Sequence, residues 1–306
     1  MLLDVILGYD CNLACDYCTI TPAMRARALS ARDVVAAMRR GRADGLVDVS
    51  FTGGEPTIRQ DLLAIVRAAK SLGFRDVKLQ SNGLLFSPAN VEKLVLAGVT
   101  TFHMSIHDAD GAAYERTVRR AATYAAMQGG LEALVHAGLD PVVDVIMKRD
   151  TAPRLAETFA WIAERGARRI DLWFVSLTDN NRDNFDSMPR MTEVVPEIAR
   201  AMGVAERLGL TVRSLHVPRC LLGAHAAIAY DPAAQRVRVV SPDAEFELSE
   251  SRLTPQVHVP ACDGCPDRPR CRGLRRDYLA RYGDAEIAAA RGVAPSRPAA
   301  LRVFDR

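Results

Sequence analysis

The chain has 306 residues, of which 49% are hydrophobic and 25% charged, with a formal net charge of +3. Such a length holds one large domain, or a large one and a small one, and the composition excludes disorder over most of it. The mild charge, with no Lys/Arg stripe interleaved with aromatics, argues against nucleic acid as a partner.

The opening MLLDVILGYD has no basic n-region and is broken by Asp4 and Asp10, so it does not read as an export signal. No stretch approaches the ~20 apolar residues of a membrane span. A soluble, cytoplasmic protein with no membrane partner is expected.

Strands and helices are predicted to alternate from there. Residues 2–8 read as a first strand, followed by a cysteine-bearing loop. Ser30, with Asp33 at the capping-box position, opens a helix over 31–41. Strands follow at 46–51, 76–80, 99–107, 142–148 and 170–175, with helices at 61–72, 88–97, 118–137, 153–165 and 192–208 between and after them. Gly98, Gly138, Gly166 and Gly209 stand where helices should stop. LTVRSL, at 210–215, extends away from the last helix. The Val/Ile/Leu-rich strands suit a parallel sheet covered by helices, hence a partial or complete parallel barrel with its chemistry at the strand C-termini.

The pattern changes after Leu215. AHAAIAY, RVRVV and AEFELS suggest short strands of a small hairpin-based α+β region, completed by a cysteine loop at 262–273 and a helix over 274–290. Residues 291–306 read as a loosely attached tail.

Seven cysteines fall into two groups, and with no export signal a disulfide scaffold is disfavoured. Cys11, Cys15 and Cys18 lie just past the first strand. Three thiolates leave one iron of a four-iron cluster open. The alternative is a zinc site with Asp10 or Asp16 as fourth ligand. FTGGEP ends the second strand: Gly53 and Gly54 let backbone approach a small ligand, and Glu55 can accept from an ammonium.

CNLACDYC followed by the Gly53-Gly54-Glu55 motif resembles the radical S-adenosylmethionine (radical SAM) superfamily, over about residues 2–215. The resemblance implies a partial (β/α)6 barrel and a [4Fe–4S] cluster on Cys11, Cys15 and Cys18. The open iron of that cluster would bind S-adenosylmethionine. It further implies that Gly53 and Gly54 hold the methionine amino group, that Glu55 supports the turn, and that the Tyr17 backbone approaches the adenine. Asn82 and Ser105 are assigned to the sugar or methionine region, and Lys148 or Arg149 to the methionine carboxylate. The bland reading of each is a solvated strand end. In HMSIHDAD, period two turns His103, Ser105 and His107 the same way. His107 and Asp108 are candidates to touch substrate or move a proton, and His103 is expected to be a core histidine.

Cys220, Cys262, Cys265 and Cys271 have spacing compatible with zinc or iron–sulfur. The region resembles a SPASM or Twitch extension, shortened because further cysteines are absent. That implies one auxiliary [4Fe–4S] cluster with four protein ligands, for electron transfer or scaffolding; structural zinc is the alternative. The arginines of RPRCRGLRR, at 268–276, are a solvated face, an anion-binding wall or a dock for an acidic reductant. Asp179, Asn180, Asn181 and Asp183, in the long loop 177–190, are candidates to bind substrate hydroxyls or a peptide backbone; an exposed linker is the alternative.

The reading that follows is a radical SAM enzyme carrying out an oxidative modification of a peptide or natural-product precursor. All seven cysteines are occupied if both clusters form, which argues against a cysteine hydrogen donor. Alternatives are an epimerase, dehydratase or decarboxylase on a sugar or nucleoside-like molecule, and a non-enzymatic iron–sulfur or zinc protein. The expected partners are an external one-electron reductant such as flavodoxin or ferredoxin and a separate peptide-recognition protein.

Overall fold

The computed structural model describes residues 1–232, 235–250 and 256–295. The chain alternates β1 (Leu2–Ile6), α1 (Ala31–Ala43), β2 (Asp48–Thr52), α2 (Leu62–Ser71), β3 (Asp76–Ser81), α3 (Pro88–Ala97) and β4 (Thr101–Ser105). Two helices follow, α4 (Gly111–Val118) and α5 (Tyr124–His136), then β5 (Val142–Met147), α6 (Leu155–Glu164), β6 (Arg169–Phe174), α7 (Met191–Leu208) and β7 (Thr211–Ser214). The seven strands pair in parallel, in the order β7-β6-β5-β4-β3-β2-β1. This is a partial parallel barrel with its helices outside.

The hydrophobic effect sets the two faces. In β1, Leu3 and Val5 are fully buried beneath the helices, while Leu2, Asp4 and Ile6 face the lumen and stay partly exposed. β3 repeats this, burying Val77 and Leu79 and leaving Lys78 and Gln80 partly exposed. As expected, Ser30 caps α1, accepting from the Asp33 N–H at 3.2 Å.

Three expectations change. The helix predicted over 118–137 is two, because Arg119 and Ala122 adopt left-handed φ of 52° and 57° between α4 and α5. The Glu115 carboxylate then caps the Thr123 and Tyr124 N–H groups at 2.9 and 3.1 Å. AHAAIAY forms no strand: a short helix α8 (Arg219–Leu222) runs into a 3-10 turn at Gly223–Ile228. The helix predicted over 274–290 is β11 (Leu274–Arg275), α9 (Arg276–Tyr282) and α10 (Ala285–Arg291), with α9 ending at Gly283, φ 70°. β11 pairs antiparallel with β10 (Gln256–Val257).

The hairpin of β8 (Val237–Val240) and β9 (Glu245–Glu247) does not form a sheet of its own. β8 pairs in parallel with β1, so the barrel sheet runs to nine strands. Most of the tail expected at 291–306 lies outside the described residues. Among the described residues, no helix is long and apolar enough to cross a membrane.

Candidate active site

Cys11, Cys15 and Cys18 lie in the loop that leaves β1 at the C-terminal mouth of the barrel, and every neighbouring element grips that loop. From β2, the Gly54 and Glu55 N–H groups donate to Gly8 O at 2.9 Å and Asp10 O at 2.8 Å. The glycines permit this approach: a Cβ on Gly53 would lie 2.2 Å from Gly8 O, and one on Gly54 2.0 Å from Asp10 O. Gly53 also has φ +137°. They are therefore packed on the cysteine loop's own backbone.

The other grips come from farther along the chain. The last carbonyls of α4, freed because the helix stops at Val118, accept from the loop: Thr117 O from Asp16 N–H at 2.9 Å, Val118 O from Ala14 N–H at 3.3 Å. Arg25 donates to Cys11 O and Leu13 O at 2.9 and 2.8 Å, and Arg120 to Asn12 O at 2.6 Å. From the loop after β6, the Asn180 amide donates to Cys18 O at 3.1 Å and the Asn184 amide to Asp16 O at 3.0 Å. That loop was expected to meet substrate or solvent. Asn180 and Asn184 instead clamp the thiol-bearing segment, while the Asn181 amide donates to Ser176 O within its own loop. Asp183 is paired with Arg182, and Asp179 adopts a left-handed φ of 46°.

Glu55 is buried and its carboxylate is fully engaged. It accepts from Thr57 N–H at 3.0 Å, Thr57 Oγ1 at 2.5 Å, Ser81 Oγ at 2.7 Å and Asn82 N–H at 2.7 Å. It therefore braces the ends of β2 and β3 and leaves little room for a ligand ammonium. Asn82 donates in turn to Asn12 Oδ1 at 2.7 Å, reaching the cysteine loop. Ser105, on the lumen face of β4, is partly exposed.

Lys148 is 2% exposed, and its ammonium lies 2.9 Å from Asp16 and 2.6 Å from Asp150. Its charge is already balanced, so it ties β5 to the cysteine loop. Arg149 turns away, donating to Asp186 O and Met188 O at 3.0 Å each and pairing with Glu193. Asp108 accepts from Asp110 N–H and Arg154, each at 2.9 Å, and is buried in that pairing. His107 stands 2.5 Å from the Tyr17 hydroxyl. His103 is a core histidine, as expected, 3.2 Å from Asp144.

The thiols show what they can hold. Burial, then the neighbouring Cys18 and Cys11, pushes the Cys15 thiol up to about 12. Burial also raises Cys11 and Cys18. Three crowded, desolvated sulfurs become thiolates readily only beside a compensating cation. Tetrahedral zinc, with Zn–S of ~2.3 Å, brings its sulfurs to about 3.8 Å apart. Among the described residues, the only trio of His, Cys, Asp or Glu donors closing to within 4.8 Å is His103, Asp144 and Asp171. In that trio, Trp173 donates to Asp144 and Arg213 pairs with Asp171. The cysteine sets are wider than mononuclear zinc needs. Of the carboxylates offered as a fourth zinc ligand, Asp10 accepts from Cys11 N–H at 2.9 Å and Asp16 is paired with Lys148. The donor set fits a cluster with an open iron.

Cys220, on α8, and Cys262, Cys265 and Cys271 line one cavity, together with Arg219, Arg268 and His258. Burial, then the three other thiols, pushes Cys220 up to about 11. Four sulfurs around one cavity fit a cluster without an open iron. The RPRCRGLRR arginines are largely neutralised locally: Arg268 pairs with Asp263, Arg270 with Asp267 and Arg275 with Asp277.

Comparison with known proteins gives a consistent picture. Two curated relatives are a "Probable GTP 3',8-cyclase" of Saccharolobus solfataricus and one of Sulfurisphaera tokodaii. The first is 31% identical over 141 residues, 46% of this chain and 45% of that protein. The second is 27% identical over 202 residues, 64% of each. The chain thus spans from under half to just under two thirds of these relatives. Among solved structures, Streptococcus suis SuiB bound to S-adenosylmethionine matches with TM-score 0.69 at 14% identity, over 93% of this chain and 75% of that one. Native anSMEcpe with bound AdoMet and the Kp18Cys peptide matches with TM-score 0.68 at 12% identity, over 95% and 99%. These two share the fold, including a C-terminal region beyond the barrel. The radical SAM superfamily model matches residues 5–162, which carry the gripped cysteine loop and the glycine pair, and the chain belongs to that superfamily.

Proposed function

We propose that the chain is an enzyme that reductively cleaves S-adenosylmethionine and abstracts a hydrogen atom from a peptide or natural-product precursor, leading to an oxidative modification. The carrying observation is the three-thiol loop, held on every side and left without a fourth protein ligand. A [4Fe–4S] cluster on Cys11, Cys15 and Cys18, with S-adenosylmethionine at its open iron, supplies a 5′-deoxyadenosyl radical on one-electron reduction. The chain's own task is alignment. Gly53 and Gly54 keep the β2 end on the loop, Glu55 fixes the ends of β2 and β3, and Lys148, Asn180 and Asn184 hold the loop at the barrel mouth. The lumen below, lined by Gln80, Ser105 and Trp173, receives the substrate.

Residues 1–215 form the radical unit and 216–290 the unit carrying a second cluster on Cys220, Cys262, Cys265 and Cys271. That second centre is suited to take an electron from a substrate radical, which favours oxidation. A flavodoxin- or ferredoxin-type reductant and a cytoplasmic setting complete the reading. SuiB, which has been captured with its precursor peptide SuiA, supports the peptide. The curated relatives, probable GTP cyclases, support a nucleoside-like substrate as a second reading.

Anaerobic reconstitution of wild type and a Cys11/Cys15/Cys18→Ala variant tests this. Two four-iron clusters predict about eight irons in wild type and about four in the variant, with 5′-deoxyadenosine formed only by wild type. About four irons with zinc in wild type removes the auxiliary redox role. No 5′-deoxyadenosine from the iron-loaded wild type refutes the enzyme.

A further inference from the structure

β7 is an edge of the barrel sheet, and the chain after α8 runs along its end: Tyr230 N–H donates to Ser214 O at 2.8 Å. Between that segment and the loop of Cys271 lies a cavity of about 300 Å³, part of it open to solvent. Its wall carries Arg219, Arg270 and Arg272 with His216, Tyr230 and Gln256, and among the described residues no carboxylate. Arg270 is balanced by Asp267 at 2.7 Å. Arg219 donates to carbonyls, to Ala226 O at 3.1 Å and Ala229 O at 3.0 Å, which orient its guanidinium without neutralising it. Arg272 belongs to the RPRCRGLRR run but not to its local pairs, and is in no ion pair among the described residues. Its guanidinium stands over the Tyr230 ring, 5.8 Å from the centroid, and Arg213 from β7 stands over the same ring at 5.5 Å. Two buried atoms of the wall, His216 Nδ1 and Gln256 Oε1, have no hydrogen-bond partner. Leaving them so costs free energy. Each group can present an N–H to a ligand, the imidazole through its tautomer and the amide by flipping.

We infer that this cavity binds an oxyanion carried by the substrate, a carboxylate or a phosphate, on Arg272, Arg219 and His216, and so anchors the substrate beside the lumen. Two guanidiniums without a counter-charge supply the attraction, and the unbonded wall atoms supply further contacts. The cavity adjoins the lumen through His216, whose ring meets Trp173 edge-on, centroids 5.4 Å apart at 65°. Trp173 in turn donates to Asp144 at 3.0 Å from the lumen face of β6. Charge held at this distance from the cysteine loop fixes where the rest of the substrate lies. Arg272 is thus a binding residue with no part in the chemical step. The inference rests on the reading that the lumen receives the substrate.

The test is calorimetric titration of iron-reconstituted wild type, Arg272→Gln and Arg276→Gln with inorganic phosphate and, separately, with glutarate, at low ionic strength. Arg276 belongs to the same arginine run but is exposed and lies outside the cavity wall. Wild type is expected to bind at least one of the two anions saturably. Arg272→Gln should weaken that binding about tenfold or more, and Arg276→Gln should leave it unchanged. Preference for phosphate assigns a phosphorylated substrate, and preference for glutarate a carboxylate-bearing one. No saturable binding to wild type, an unchanged affinity in Arg272→Gln, or equal weakening in both variants overturns the inference. If Arg272→Gln does not fold, His216→Phe replaces it, and unchanged binding there overturns it. The same wild-type sample is assayed for 5′-deoxyadenosine. Cleavage without anion binding removes the anchor and leaves the enzyme reading standing. Anion binding without cleavage refutes the enzyme, and with it the substrate role of the site.

Discussion

Gly54 and Glu55 show how tightly single residues are specified here. A methyl group at position 54 would lie 2.0 Å from Asp10 O, a backbone atom that cannot rotate away. Gly54→Ala must then push the β2 end off the cysteine loop, at a cost of roughly 3 kcal/mol or more. Urea unfolding reads the stability loss, and iron content after reconstitution should fall with it. Glu55→Gln keeps the shape but turns one acceptor into a donor facing four donors, a mismatch of about 1–3 kcal/mol in the same assay. His107 predicts a pH dependence. Its folded pKa is about 3, against ~6.5 in an unfolded chain. Between these values the unfolded state binds the extra proton, so stability falls as pH drops, by up to about 1.4 kcal/mol per unit, and is flat above ~6.5. His216, likewise held down to about 3 by burial, adds a second such contribution, so urea midpoints of metal-free protein between pH 7 and 5 should show the slope and His107→Phe should about halve it. The three thiols and the glycine pair were legible in the sequence because their chemistry is local. The roles of Lys148 and Arg149 were not. Both are cations at a strand end, and only the fold shows that Lys148 meets Asp16 while Arg149 meets the segment before α7.

At the level of elements, the cysteine loop is a segment without regular structure made rigid by its neighbours. Its backbone meets the β2 end, the α4 end and the loop after β6, each bringing hydrogen bonds the loop cannot make with itself. The break between α4 and α5 serves this arrangement, since a continuous helix would keep the Thr117 and Val118 carbonyls for its own N–H groups. Hydrophobic periodicity could not reveal that break, because apolar residues continue across it and the signal lies in two backbone angles at Arg119 and Ala122. The parallel strands, by contrast, were legible in their Val/Ile/Leu runs and closing glycines. The clamp from the loop after β6 yields a prediction. An Asn180→Ala/Asn184→Ala double variant loses three hydrogen bonds, of which the two to the cysteine loop are worth about 1 kcal/mol each. Iron release to a chelator should then speed up by as much as roughly thirtyfold, with overall unfolding nearly unchanged. An unaltered release rate would mean that the remaining contacts suffice to hold the loop.

At the level of the molecule, the C-terminal region is bound to the barrel by more than its cysteines. β8 lies along β1, matching Leu2 with Val237 through Val5 with Val240, and covers a strand that would otherwise be a bare sheet edge. Charge locks the hairpin down: Arg27 and the Tyr9 hydroxyl meet Asp243, Arg40 meets Glu245, and Arg238 joins Asp44 to Glu247. At the C-terminal end of β6, buried Arg275 donates to Phe174 O, the Tyr278 hydroxyl accepts from Met191 N–H at the start of α7, and Asp277 accepts from Leu177 N–H. Both flanks of the barrel thus depend on residues after 215. The composition shift at Leu215 was legible in the sequence; this dependence was not, because a short strand carries no mark of which edge it will join. A chain cut after Leu215 should therefore lose more than its second cysteine set. It would expose the β1 edge along with the apolar surface beside Phe174, and an open parallel edge invites pairing with another copy. Expressed alone, residues 1–215 should elute as soluble aggregate on gel filtration. A full-length Cys262→Ala/Cys265→Ala variant should stay monodisperse and keep the iron of the three-cysteine site. A well-behaved 1–215 fragment that still binds that iron would show instead that the hairpin is an accessory to a barrel able to fold without it.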